Sequence, residues 1–61
     1  MKYTITIKYR YENQDGLEVS CLKDAIIRHA DCLATAKIQA VKQIVAAFPV
    51  TFVDVIDFKV I

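Results

Sequence analysis

The sequence predicts an α+β fold. The 61 residues form one small domain, residues 1–61, built as a two-layer ββαβ unit in which one helix covers a three-stranded, mainly antiparallel sheet. Three observations carry this expectation. Lys2 to Tyr11 alternates polar and apolar residues, the period of a half-buried strand. Asp31 to Phe48 reads DCLATAKIQAVKQIVAAF, with apolar residues at helical spacing. After Pro49 an alternating apolar pattern returns. One helix and three strands bury their apolar faces against each other as two layers.

In the first strand, Tyr3, Ile5, Ile7, Tyr9 and Tyr11 share one face, and Lys2, Thr4, Thr6, Lys8 and Arg10 share the other. The following Glu12-Asn13-Gln14-Asp15-Gly16 is turn chemistry. A two-residue Asp-Gly loop would place Leu17 and Val19 on the face of Lys8 and Arg10. A three-residue loop, Gln14-Asp15-Gly16, with the glycine left-handed as a bulge, restores the register. Tyr11 then faces Val19, and Tyr9 faces Cys21.

The second strand starts at Leu17 and passes Val19 and Cys21, after which Leu22 breaks the alternation. Two readings follow. In one, a strand runs from Leu17 to Arg28 with a bulge near Cys21–Lys23. In the other, the helix starts near Leu22 and runs to Phe48. The β-branched Ile26-Ile27 pair and the later helix start at Asp31 favour the bulged strand.

Within the helix, Ala34, Ile38, Val41, Val45 and Phe48 form one stripe, and Leu33, Ala40, Ile44 and Ala47 form a second beside it. Together they span roughly 200°, twice the width one core face needs. Asp31 is the expected N-cap, and Pro49 ends the helix because it lacks an N–H and disfavours helical angles at Phe48. In the last strand, Phe52, Ile56, Phe58 and Val60 have core parity, interrupted by Asp54. Val53 and Val55 then fall on the wet side. The first strand takes the centre of the sheet, and a right-handed crossover leads from the second strand to the third.

Composition narrows function mainly by exclusion. A domain this small buries only about 60% of its unfolded surface, yet 56% of its residues are hydrophobic. That excess favours support from a partner subunit. The formal net charge of +1 provides no strong attraction to nucleic acid or anionic lipid. No apolar run is long enough to span a bilayer, and the alternating start is unlike a signal peptide. The cytoplasm of a producing or host cell is the expected location, with Cys21 and Cys32 as reduced, buried thiols; a disulfide between them is the alternative.

Cys21, His29, Asp31 and Cys32 are the only residues with clustered ligand chemistry, and their spacing lacks the paired short intervals of a zinc site. A thiol–imidazole pair of Cys32 and His29 would lack an orienting third group and an oxyanion loop. No catalytic, cofactor or metal residue is expected. Lys37 falls inside the apolar arc; either its stem packs while its ammonium reaches water, or it pairs with the out-of-pattern Asp54.

From Ala30-Asp31 through Ile38, between strands and with a closing Val-Ile-Asp-Phe-Lys-Val, the chain resembles small accessory proteins of bacteriophages and mobile elements. These include host-polymerase inhibitors and anti-CRISPR proteins with a hairpin, a helix and a last strand. The resemblance covers the layout of the whole chain and carries over no functional residue. It implies action by occluding a host protein surface, often as a dimer. The balanced charge departs from the acidic, nucleic-acid-mimicking members.

The expected function is therefore non-enzymatic protein binding, by a homodimer. Candidate partner-binding residues are Tyr9, Arg10, Tyr11, Leu33, Lys37, Ile44, Val53 and Val55. The two tyrosines are expected near the hairpin tip, beyond the helix, where they would be anchors. The alternative is nucleic-acid binding through Lys2, Lys8, Arg10, Arg28 and Lys59 on the polar side of strand one and its neighbours. The aromatic residues needed for stacking have the opposite parity there.

Overall fold

A computed structural model describes residues 1–61. Its elements are β1 (Tyr3–Glu12), β2 (Glu18–Ile27), α1 (Leu33–Ala47) and β3 (Val50–Val60). They form one sheet of order β2-β1-β3 with α1 on one face; both pairings of β1 are antiparallel. The expected ββαβ layout, with β1 in the centre, is the observed one.

The hairpin follows the three-residue reading. The Asn13 N–H donates to the Leu17 carbonyl at 2.8 Å, and Gly16 takes φ +78°. The Asn13 side-chain oxygen accepts from the N–H groups of Asp15 at 2.9 Å and Leu17 at 3.0 Å, so it organises the loop as an Asx turn. Tyr11 lies opposite Val19 and Tyr9 opposite Cys21.

Strand β2 corrects the expected bulge at Cys21–Lys23. Its register against β1 is unbroken from Glu18 to Ile27. Leu22 breaks the hydrophobic pattern because it points to the other face of the sheet. The bulges lie in β3 instead, where the register shifts between Thr6/Ile7 and between Arg10/Tyr11. The extra residues there are Ile56 and Thr51. Each bulge reverses parity, so Val50, Val53 and Val55 pack against the core as half-buried residues. Asp54 and Phe52 stand opposite Lys8 and Arg10 on the far face. The placement of Val53 and Val55 on the wet side and of Phe52 and Ile56 in the core is therefore reversed.

The core is small: ten of the 61 residues are buried. Strand β1 supplies its bulk through Tyr3, Ile5, Ile7 and Tyr9. Ala25, Ile27 and Ala30 flank it, and α1 adds Ala36, Ala40 and Ile44. The helix thus turns Ala40 and Ile44 of its second apolar stripe inward together with Ala36, while Leu33 is half-buried and Ala47 is exposed. Of the first stripe, Ala34, Ile38 and Val45 are exposed, with Ile38 at 57%. Two alanines facing large β1 residues let helix and sheet approach closely with matched volumes. At the end of the helix, Phe48 packs on Tyr9 and Tyr11 with ring centroids 5.0 and 5.4 Å away. The N-cap is Cys32, one residue after the expected Asp31.

This inward face gives a direct prediction. Ala40→Leu overfills the contact and is expected to destabilise the fold by about 1–3 kcal/mol. Val45→Ala on the outer face is expected to change stability by less than about 0.5 kcal/mol. Urea denaturation of the two variants measures both values.

Candidate interaction face

One helix covers one face of the sheet and leaves the other open. Alternation along β1 places Thr4, Thr6, Lys8, Arg10 and Glu12 on this open face. Their register brings Ile26, Asp24, Leu22, Ser20 and Glu18 from β2 beside them. From β3 come Lys59, Asp57, Asp54 and Phe52. Leu22 is 66% exposed, Ile26 54%, Ile56 49% and Phe52 40%. Leu22 and Ile56 flank a groove of about 530 Å³ that Lys8, Ser20 and Cys21 line with them. It crosses all three strands, with the half-buried Lys8 side chain between Leu22 and Ile56.

The polar groups of this face are largely engaged with one another. Thr6 Oγ1 donates to Asp24 Oδ1 at 2.7 Å. Arg10 stands 3.6 Å from a Glu18 carboxylate oxygen and 4.8 Å from the Phe52 ring centroid, a cation–π arrangement. Lys8 lies opposite Asp54 in the β1–β3 register.

The expected binding residues divide between the two faces. Tyr9 is buried, and Tyr11 is half-buried beneath Phe48. Neither forms an exposed pair with Arg10, which points the other way. Ile44 is 1% exposed and has no surface to offer. Leu33, Val53 and Val55 are partly buried against the core. Lys37 follows the stem-packing reading, with Nζ 5.4 Å from the Phe58 ring centroid. Its pairing with Asp54 is ruled out because Asp54 lies across the sheet.

Lys8, Arg10 and Lys59 share the open face, but Glu12, Glu18, Asp24, Asp54 and Asp57 share it with them. Its formal charge is therefore acidic, and no basic stripe forms there. Lys2 and Arg28 lie outside the paired elements.

Leu22, Ile26, Phe52 and Ile56 were absent from the expected set. For Leu22 and Ile26 the signal was present: both have the parity opposite to Cys21, Ala25 and Ile27, and an unbroken strand reveals it. Phe52 and Ile56 depend on the β3 bulge at Ile56, which no residue type there announces.

Cys21 sits in mid-strand and Cys32 at the start of α1; both are free thiols, but Cys21 is only half-buried and Cys32 is exposed, which corrects the expectation of two buried thiols. No three His, Cys, Asp or Glu side chains converge as a metal site. The Thr35 hydroxyl, 3.4 Å from Cys32 Sγ, holds that thiol below its ordinary pKa. Backbone N–H groups of Thr35 and Ala34 act in the same direction. Because Sγ closes no capping hydrogen bond, the hydroxyl is the principal cause. Burial pushes the Tyr9 phenol the other way, above its usual value, reinforced by neighbouring Cys21. No family model, curated protein or solved structure matches this chain.

The thiol environment sets a reactivity order. The Cys32 thiolate is favoured in the folded chain, so the exposed Cys32 is expected to alkylate faster than the half-buried Cys21 and to reach half-maximal rate below the pH of an ordinary free thiol. Thr35→Ala should move that midpoint upward. Iodoacetamide labelling across a pH series, read by peptide mass spectrometry, measures both effects.

Proposed function

We propose that the chain is a non-enzymatic protein-binding module that docks a protein partner on the open face of its sheet. The observation behind this reading is the quartet Leu22, Ile26, Phe52 and Ile56, exposed together on a face that no element of the chain covers. Asp24, Lys8 and Asp54 stand between these residues, so the face is a mosaic of apolar and charged side chains, the make-up of a non-obligate interface. Arg10 adds a residue type that concentrates binding energy, and Phe52 one that is enriched at interfaces. The engaged, predominantly acidic polar groups favour a protein over nucleic acid as the occupant.

The most specific form of the proposal is a phage or mobile-element inhibitor that occludes a host protein surface in the cytoplasm. The small size and the layout resemblance support that form.

A photo-reactive phenylalanine analogue in place of Phe52 tests the face directly in producing or host cells. A discrete protein adduct is expected, and Ile56→Asp should reduce it at least tenfold. Ile38→Asp, on the outer helix face, should leave it unchanged. Adducts that ignore Ile56→Asp, or recovery of nucleic acid alone, would reject the reading.

A further inference from the structure

The two free edges of the sheet are unlike each other. Each edge strand carries three charged residues, but β3 is guarded in its backbone: Pro49 precedes it, and Thr51 and Ile56 bulge from it. These devices discourage pairing with another chain. Strand β2 has ten residues, no register shift, no proline and no glycine.

The backbone groups presented by β2 follow from the ladder. Asn13 and Leu17 are a hydrogen-bonded pair. Alternation then directs the odd residues, Val19 to Ile27, toward β1. Glu18, Ser20, Leu22, Asp24 and Ile26 turn their N–H and C=O groups outward. The chain's own turn and loop hydrogen bonds leave all five free.

We propose that a second copy of this chain occupies this edge, pairing β2 antiparallel with β2 about a two-fold axis through Leu22 to make one six-stranded sheet.

Charge complementarity selects the register. A two-fold axis perpendicular to the sheet keeps like faces together, so some residue on the axis must meet its own copy. Centring on Lys23 opposes two lysines, and centring on Asp24 opposes two aspartates. Centring on Cys21 opposes Glu18 to Asp24 twice. Like charges directly opposite are destabilising. Registers centred nearer either end lose much of the overlap.

Centring on Leu22 places Leu22 against Leu22, Ser20 against Asp24 and Glu18 against Ile26 on the open face. On the helix side, Cys21 meets Lys23 and Val19 meets Ala25. No like charges oppose, and about ten backbone hydrogen bonds form along the new ladder. The leucine pair joins the two grooves beside Lys8 across the axis. This pairing concerns the edge, so it can stand or fall separately from partner docking at Phe52 and Ile56.

The register predicts a specific cross-link. Cys21 and Lys23 of the second copy form a non-hydrogen-bonded pair, with Cα atoms about 4.5 Å apart, within disulfide reach. In a Cys32→Ser background, Lys23→Cys should therefore oxidise to a covalent dimer on a non-reducing gel. Cys32→Ser alone should not. Wild-type chain should sediment at twice the 6.9 kDa monomer mass. Leu22→Lys should restore the monomer with an unchanged circular dichroism spectrum, since Leu22 is exposed in the single chain. A wild-type monomer throughout the micromolar to millimolar range would overturn the proposal. So would a folded Lys23→Cys variant that forms no covalent dimer, or a Leu22→Lys variant that remains dimeric.

Discussion

The structure depends on a mismatch between one helix and a sheet with two faces. Because β1 is paired on both sides, its odd residues lie beneath α1 and its even residues face away from any cover. A 15-residue helix rises about 22 Å at 1.5 Å per residue, shorter than strands of ten or eleven residues. The result is a long body, 40 × 17 × 13 Å, with a radius of gyration of 12.1 Å. A compact chain of this length would be nearer about 10.5 Å. The small core and the exposed apolar residues are two consequences of this geometry.

Volume matching across the layer explains which side of the helix turns inward. Tyr3, Ile5, Ile7 and Tyr9 already fill the sheet side. A helix that presented Ile38 and Val45 to them would be held farther away and would leave gaps around its smaller neighbours. Ala36 and Ala40 permit close approach, while Ile44 and Phe48 fill the space toward the hairpin. The helix was legible from its period and from Pro49. Its inward stripe was not, because both stripes are apolar and hydrophobicity alone cannot rank them. Residue size against the facing strand decides the orientation, and that requires the strand pairing first.

The same distinction separates the two edge strands. Hairpin register was readable from Tyr9, Tyr11, Val19 and the left-handed Gly16, since a slip of one residue would turn a whole face outward. In β2, the apparent disorder of the pattern came from a strand with apolar residues on both faces, which resembles a bulge in a one-dimensional reading. In β3 the error ran the other way: two real bulges looked like an uninterrupted strand with a misplaced Asp54. A bulge depends on the ladder's hydrogen bonding across to β1, and its extra residues here, Thr51 and Ile56, are ordinary strand formers.

The bulges also connect the fold to its surface chemistry. Without the shift at Thr6/Ile7, Val53 and Val55 would face outward and Asp54 would be driven toward the core. With it, two valines seal the edge of the core and Asp54 comes to lie beside Lys8. Ile56, freed from pairing, lines the open groove opposite Leu22. One irregularity thus removes a buried carboxylate and adds an apolar contact to the open face. It also blunts β3 as a template for another strand. The regular β2, on the opposite side of the sheet, keeps a straight edge with no bulge, proline or glycine.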